Sequence, residues 1–203
     1  MSILKEKEKL STRDKILETA IELFANKGFS GTTTKEIADE ASVNEALIFR
    51  HFSTKSDLYA AIIEKKIQEE PDMLIPLKKF NETGDDREVF KSLAIRIFEN
   101  CGADTTFLRL LHFSALEGHE LSEMFFDTYV DYVNMLLFDY IQTRIKDGAF
   151  KDIDPLLSAK AFIGMVINFI IVQELFGQKK RKKANTNKVV ETFVTLFLEG
   201  IKK

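Results

Sequence analysis

Residues 16–58 decide the fold, and they read ILETAIELFANKGFSGTTTKEIADEASVNEALIFRHFSTKSDL. Over about 13–26 the apolar residues form one stripe at helical spacing, and Gly28 follows as a C-terminal cap. Two shorter apolar patterns come next, over about 34–41 and 45–51, with a turn of three or four residues between them. Because helices this short are weak alone, both must be held by another helix that packs across them.

The spacing of Thr33 and Glu36 is that of a capping box, which predicts where the first of the two short helices begins. The small side chain of Ala38 lets the two helices cross closely. The outer face of the second short helix is then left exposed, and a fourth helix begins near Lys55. This arrangement predicts a helix-turn-helix whose second short helix enters the major groove of DNA.

This stretch resembles the DNA-binding domain of the TetR family of bacterial repressors. The likeness rests on several pieces in the family's order and spacing: Leu23 through Phe29, Thr32 through Thr34, Ile37-Ala38, Val43 through Phe52, and Lys55, Asp57 and Leu58. The resemblance implies an all-α protein. It also implies an N-terminal three-helix helix-turn-helix domain (residues 9–69) and a C-terminal helical ligand-binding and dimerisation domain (residues 70–203). Pro71 and Pro76 mark the break between the two.

Ten residues are predicted to contact DNA: Thr33, Thr34, Lys35, Asn44, Glu45, Ala46, Phe49, Arg50, His51 and Lys55. Hydroxyl groups and free backbone N–H groups at a helix N-terminus suit a phosphate, which favours the threonines. Lys55 resembles the family's phosphate-contacting lysine. The side chains of Asn44, Glu45 and Arg50 are candidates for base edges, with arginine on guanine and asparagine on adenine as the usual pairings.

Three positions depart from the family's pattern. Ser42 stands in the turn where the family usually has glycine, and Ala46 occupies a common glycine position. Phe49 replaces the usual tyrosine, so a phosphate contact through that hydroxyl group is absent. Two alternatives stay open: Arg50 and Glu45 as solvated helix residues, and His51 as a ring packed beside Phe52.

The rest of the chain is predicted to be helical near 86–101, 104–117, 120–147, 155–177 and 186–201. Only three prolines and nine glycines occur, which disfavours a fold rich in tight turns. Asp154-Pro155 has the residues that open a helix, and Gly148 is placed to end one. The basic run Lys179–Lys183 lies between the last two helices and is interpreted as a solvated loop.

Fourteen of the 18 phenylalanines follow residue 79. Most belong to the core of a helical domain, but one cluster is the candidate lining of a ligand cavity. Its members are Phe107, Leu110, Leu111, Phe113, Met124, Phe125, Tyr129, Met165 and Asn168. Polar groups that orient the ligand are expected from His112, Asn168 and Tyr132.

The last two helices are predicted to form the interface of a homodimer. From Ala161 to Val172 the chain is apolar on almost every face, which is more than one core requires from a single helix. The resemblance implies a four-helix bundle made by two subunits, and symmetric pairing suits a palindromic operator. The interface candidates are Phe162, Ile170, Val189, Phe193, Val194 and Phe197.

The composition sets limits on this interpretation. The net charge is −3, and residues 1–70 carry 11 basic against 13 acidic side chains, so total charge does not favour a nucleic-acid partner. No motif of an enzyme or a cofactor site is recognised, and neither is expected. His112 and His119, with Glu117 and Glu120 near them, are an alternative metal site that is not expected, because Gly118 is predicted to break their helix. With a single cysteine and no apolar leader at residues 1–6, a soluble cytoplasmic protein is expected, with no membrane partner.

The function predicted from the sequence is a homodimeric repressor that a small, apolar ligand releases from a palindromic DNA operator. The alternative is a helical dimeric interaction protein that has lost DNA binding.

Overall fold

The computed structural model describes residues 11–69, 85–103, 105–118, 123–124, 126–177 and 184–203. Within these ranges it contains nine α-helices and no named strand, which confirms the all-α class. Their bounds are α1 (Thr12–Lys27), α2 (Thr34–Glu40), α3 (Glu45–His51), α4 (Lys55–Glu69), α5 (Asp86–Ala103), α6 (Thr106–Leu116), α7 (Asp131–Lys146), α8 (Pro155–Glu174) and α9 (Thr186–Ile201).

The helix ends predicted from the sequence coincide with capping interactions in the structure. The side chain of Ser11 accepts a hydrogen bond from the Asp14 N–H at the start of α1, and Gly28 ends that helix with a φ of 76°. At the start of α8, the Asp154 side chain accepts from the Leu157 N–H. Each cap satisfies a backbone group that would otherwise have no partner.

The predicted continuous helix over 120–147 is wrong in one respect. A π-helical turn, Phe126–Val130, precedes α7, and residues 119–122 and 125 lie outside the described residues. A π-turn inserts one extra residue into an α-helix. The apolar residues before and after it therefore do not follow a single α-helical repeat. Periodicity alone cannot detect that shift.

The chain divides into two compact units. The first holds α1 to α4 as far as Lys66 together with α6, and the second holds α5 and α7 to α9. Helix α6 belongs with the first unit because it packs against α1 and buries Leu108, Leu110 and Leu111. The functional division into residues 9–69 and 70–203 stays a prediction.

Three aromatic rings pack against one another in the core of the first unit. The centroids of Phe24, Phe29 and Tyr59 lie 5.3 to 5.7 Å apart. The Tyr59 hydroxyl donates to the Leu110 carbonyl oxygen at 3.3 Å, which links α4 to α6. Burial raises the pKa of Tyr59 to about 12, so this hydroxyl keeps its proton, and its donor role, across the physiological range.

The core of the second unit is a cluster of phenylalanines from α5, α8 and α9. The Phe90, Phe162 and Phe197 rings lie 4.8 to 5.0 Å apart. This burial corrects the predicted dimer interface, because Phe162, Ile170, Val194 and Phe197 are all covered within one chain. Of the six candidates only Val189 and Phe193 are half-buried and still offer some surface.

Helix α8 is long and apolar enough to cross a membrane by length and composition alone, with a mean hydropathy of 1.9. A single helix of this kind is weak evidence for a membrane protein, since buried or interfacial helices of globular proteins have the same composition. Leu157 and Val172 are exposed on α8, so much of the apolar surface of this helix has no cover within one chain.

A buried carboxylate connects three segments of the second unit. Asp86, at the start of α5, accepts from the Tyr140 hydroxyl at 2.6 Å and from Arg144 Nε at 2.9 Å, and Lys202 Nζ lies 3.2 Å away. Burial raises the pKa of Asp86, but the hydrogen bonds from Arg144, Tyr140 and Lys202 outweigh it and hold the value below 3.8. The first residue of α5, the second half of α7 and Lys202 just after α9 are therefore fixed to one group.

We expect Asp86→Asn to lower the free energy of unfolding by roughly 2–3 kcal/mol, because Arg144 and Lys202 lose the negative charge that they bind and one of the two buried acceptor oxygens becomes a donor. Urea titrations followed by circular dichroism measure this change. A carboxylate with a lowered pKa contributes stability above pH 3.8, and this contribution is lost as the pH falls below that value. The difference between wild type and variant should therefore shrink on acidification.

Glu191→Gln is the matched control, because Glu191 makes only exposed ion pairs with Arg87 and Lys91. An equal loss of stability in the control variant would contradict the role assigned to the buried Asp86.

Candidate nucleic-acid interface

The turn between α2 and α3 sets the angle of the helix-turn-helix. The Ser42 N–H donates to the Asp39 carbonyl oxygen at 3.1 Å, and the Val43 N–H donates to that of Ala38 at 2.9 Å. These two bonds form a Schellman motif, which requires a left-handed residue after the helix. That residue is Ser42, with a φ of 53°. The turn thus carries the strain that glycine would avoid.

Both threonine hydroxyls at the start of α2 are already used inside the chain. Thr33 completes the predicted capping box, because its hydroxyl donates to Glu36 and accepts from the Glu36 N–H. The Thr34 hydroxyl donates to Glu45 at 2.6 Å and so ties α2 to α3. In this conformation neither hydroxyl hydrogen is left for a DNA phosphate, and the Glu45 carboxylate is directed at α2.

The pKa of Glu36 is lowered to about 2, first by the hydrogen bond from the Thr33 backbone N–H and then by the side chains of Lys27 and Thr33. The capping box therefore stays ionised and intact at any physiological pH. It fixes the first turn of α2, from which the exposed side chain of Lys35 projects.

The outer face of α3 is exposed over Ala46, Phe49, Arg50 and His51, and half of the Phe49 side chain is accessible. Asn44 is the N-cap, and its side-chain oxygen accepts from the Ala46 N–H at 2.8 Å. That oxygen keeps one lone pair, so the amide of Asn44 can still accept from a base as well as donate its N–H groups. The His51 ring is 6.2 Å from that of Phe52 and remains exposed.

Lys55, the first residue of α4, binds the backbone of the loop between α1 and α2. Its ammonium group donates to the carbonyl oxygens of Phe29 and Thr32, both at 2.8 Å, and lies 4.1 Å from the centre of the Phe29 ring. Burial lowers the pKa of Lys55, and the charge of Glu117 opposes this effect. An ammonium group has three donors, so the predicted phosphate contact of Lys55 would have to use the third.

Glu117, which the sequence did not predict as a contact of this loop, lies just after the end of α6 and binds the same loop. Its carboxylate accepts from the Phe29 N–H at 3.0 Å and the Ser30 N–H at 3.3 Å. A Cβ atom at Gly28 would lie 2.5 Å from Glu117 Oε1, the end of a flexible side chain, so the positive φ of Gly28 is the stronger reason for glycine at this position. No sequence pattern could have revealed this contact, because the partners of Glu117 are backbone groups.

The predicted ligand residues are divided between the two units. Leu110 and Leu111 are buried in the first unit, where Phe107 is half-buried and Phe113 is partly exposed. In the second unit Asn168 is exposed, while Met165 is half-buried and Met124 partly exposed. Phe125 and the side chain of Tyr129 lie outside the described residues.

The polar groups expected to orient a ligand are placed differently from the prediction. Asn168 and Tyr132 are exposed, and His112 Nδ1 is 2.7 Å from the Leu108 carbonyl oxygen of its own helix. Asn134, not singled out before, is buried on α7, and its side-chain oxygen has no hydrogen-bond partner among the described residues. A buried acceptor without a donor is uncommon and suits a ligand that brings one.

No group of three or more metal-ligating side chains is found in the part of the chain that the structure describes.

Comparison with known proteins gives a consistent result across both parts of the chain. The family model of tetR bacterial regulatory proteins matches residues 16–62, and that of the AefR-like transcriptional repressor C-terminal domain matches residues 103–200. The uncharacterized HTH-type transcriptional regulator YvkB of Bacillus subtilis is 25% identical over 196 residues, which cover 94% of this chain and 97% of that protein.

Two solved structures have the same fold. A putative fatty acid metabolism regulator of Clostridium perfringens has a TM-score of 0.74 at 22% identity, covering 93% of this chain and 99% of that one. AibR in complex with isovaleryl coenzyme A and operator DNA has a TM-score of 0.70 at 20% identity, covering 92% and 97%.

We expect Ser42→Gly to raise the free energy of unfolding by about 0.5–1 kcal/mol, since glycine adopts the left-handed conformation without a steric penalty. Urea titrations of the purified protein measure the change.

Gly148→Ser is the matched control for this turn. Gly148 follows α7 in the same hydrogen-bond pattern with a φ of 76°, and a Cβ atom there would meet nothing within 4 Å. This variant should lose stability by about the amount that Ser42→Gly gains. If both variants were destabilised, the backbone strain assigned to Ser42 would be refuted.

Proposed function

Because this chain belongs to the TetR family of bacterial regulatory proteins and is a DNA-binding transcriptional regulator, not an enzyme, we propose that it acts as a homodimeric repressor released from a palindromic operator by a small ligand. The observation that carries this proposal is the exposed outer face of α3, which is presented on a rigid helix-turn-helix. A chromosomal target requires a cytoplasmic location.

Arg50 is proposed as the main base-reading residue. It is exposed in the last turn of α3, and arginine pairs with the acceptor atoms of guanine. Ala46 and Phe49 lie one turn apart on the exposed face and suit apolar contacts with thymine methyl groups. Lys35 and the third N–H of Lys55 are proposed for phosphates, since the hydroxyls of Thr33 and Thr34 are bonded internally.

The proposed dimer interface is the exposed side of α8 together with that of α9. Leu157, Ala161, Gly164, Asn168 and Val172 recur at helical spacing and are exposed along α8. Ala161 and Gly164 are small enough for another helix to approach closely. Leu196 adds an exposed apolar group on α9, with 60% of its surface accessible. Pairing through this side would cover the apolar surface of α8 and leave the buried phenylalanines in place.

The sensing part of the proposal rests on the second unit. The structural neighbour AibR has been crystallised with isovaleryl coenzyme A and operator DNA, and the C. perfringens neighbour is described as a putative fatty acid metabolism regulator. The unpaired oxygen of Asn134 favours a mostly apolar effector that carries a hydrogen-bond donor. Such a molecule releases DNA only if it binds the released conformation more tightly than the DNA-bound one.

We expect Arg50→Ala to weaken binding to the DNA upstream of the protein's own gene by about tenfold or more, corresponding to 1–3 kcal/mol for one base contact. Binding to unrelated DNA should change little. Lys35→Ala should instead weaken binding to all sequences and reduce the salt dependence by about one phosphate contact. Fluorescence anisotropy at several salt concentrations measures both.

Lys146→Ala, an exposed cation on α7 of the second unit, is the matched control and should leave both affinities unchanged. If the intact protein bound every sequence equally, base reading by α3 would be excluded, and the alternative of an interaction protein without specific DNA binding would gain support.

We expect Gly164→Arg to convert the dimer into a monomer, because a long charged side chain would block the close approach of the second subunit. The substitution fits a single chain, since a Cβ atom at Gly164 meets nothing within 4 Å. Gly164→Ala is the control: it should stay dimeric and become slightly more stable, because alanine favours the helix by about 0.5–1 kcal/mol. Analytical ultracentrifugation decides between the outcomes, and a dimeric Gly164→Arg protein would place the interface elsewhere.

A further inference from the structure

An arginine of α1 lies beside the C-terminal end of α3. Arg13, in the first turn of α1, has its guanidinium group over the ring of Phe52, with Cζ 5.2 Å from the ring centre. Phe52 directly follows α3, and only 5% of its surface is accessible, whereas Arg13 is exposed. Arg13 precedes residues 16–62, which the tetR family model matches, so nothing in that match assigns it a role.

The contact with Phe52 positions the charge of Arg13 and leaves its hydrogen-bonding groups available. A cation over an aromatic face is attracted by the electrons of the ring, which favours one position for a long side chain. A phenylalanine ring has no acceptor atom, so this contact uses none of the five guanidinium N–H donors. The carboxylate next in sequence, that of Asp14, accepts from the Ser11 hydroxyl and lies 3.8 Å from Lys65 Nζ. The guanidinium group of Arg13 can therefore bind an anion that approaches α3.

The two ends of α3 have cations of other helices beside them. Glu45, the first residue of α3, accepts from Thr34 at 2.6 Å, so the first turn of α2 with its exposed Lys35 lies next to the N-terminal end of α3. Arg13 lies next to the C-terminal end through Phe52. A helix of seven residues is about 10 Å long, and the major groove of DNA is about 12 Å wide. Cations at the two ends of α3 are therefore spaced to reach phosphates on the two edges of the groove.

From this placement we propose that Arg13 binds a phosphate of the DNA backbone at the edge of the groove next to the C-terminal end of α3. Arginine suits this role because its N–H groups can bind two phosphate oxygens at once. A phosphate contact carries no base information, so its loss weakens binding to every sequence alike. The inference rests on the proposed function, since it adds a contact from α1 to the interface formed by α3.

The substitution Arg13→Gln removes the charge and keeps a side chain of similar length. For each bound subunit it should weaken DNA binding about fivefold to tenfold at about 0.1 M salt, the effect of one lost phosphate contact. The slope of log K against log salt concentration should become shallower by about one for each subunit. Both losses should be the same for the DNA upstream of the gene and for unrelated DNA. Fluorescence anisotropy at several salt concentrations measures them.

Two further variants separate a phosphate contact from a general change of charge or of fold. Arg13→Lys keeps the positive charge and should keep most of the affinity and the full salt dependence. Lys15→Gln is the matched control, because Lys15 is an exposed cation of the same turn on the opposite side of α1. It should change neither the affinity nor the salt dependence. Circular dichroism should show the same helix content and melting temperature for all three variants.

Ethylation interference locates the contact on the DNA. A phosphate bound by Arg13 is one whose ethylation weakens binding of the wild-type protein and has no effect on the Arg13→Gln protein. The phosphates identified in the same way with Lys35→Ala should be different ones, because Arg13 and Lys35 lie near opposite ends of α3.

An Arg13→Gln protein with unchanged affinity and salt dependence would overturn the proposal. An equal effect of Lys15→Gln, or the same set of phosphates for Arg13→Gln and Lys35→Ala, would do so as well. Each of these results leaves the proposed function in place if the wild-type protein still prefers its upstream DNA. A wild-type protein that binds upstream and unrelated DNA equally, but loses affinity on Arg13→Gln, would retain the phosphate contact and lose the proposed function.

Discussion

The geometry of the DNA-binding unit depends on how the loop between α1 and α2 is held. Two side chains of opposite charge bind its backbone, one at the start of α4 and one just after the end of α6. The ammonium group of Lys55 takes the carbonyl oxygens of Phe29 and Thr32, and the carboxylate of Glu117 takes the N–H groups of Phe29 and Ser30. With donors and acceptors satisfied on both sides, this loop fixes where α2 begins. The position of α3 follows through the strained turn at Ser42.

Local chemistry made many helix ends in both units predictable from the sequence. The capping box of Thr33 and Glu36, the glycine after α1 and the Asp154 cap are short-range patterns, and each appears in the structure as expected. What could not be predicted depends on contacts between distant residues. Thr34 and Glu45 both looked available to DNA, yet they bond each other, and Glu117 acts on backbone groups 87 and 88 positions away.

The packing of the second unit was harder to predict. The spacing of apolar residues along a helix does not show whether that face is covered within the chain or by a second subunit. Phe162, Val194 and Phe197 have the spacing of an interface but pack in the interior of a single chain. The exposed positions of α8 include Ala161, Gly164 and Asn168, which are less apolar than the residues that they separate. A helix that is apolar on every face has no polar side to mark its exposed surface. Only the packed structure therefore distinguishes the side that faces the core from the side that is exposed.

The composition of α8 has a consequence for how the protein behaves during synthesis and at low abundance. If the protein pairs through α8 as proposed, a newly made chain exposes the free side of this helix, with a mean hydropathy of 1.9, until a second copy covers it. In that case unpaired subunits would be the form most exposed to chaperones, proteases and adhesion to lipid. If the subunits pair through α8, the amount of functional protein rises more steeply than the amount of chain translated. A cell that dilutes the protein would then lose it faster than dilution alone predicts.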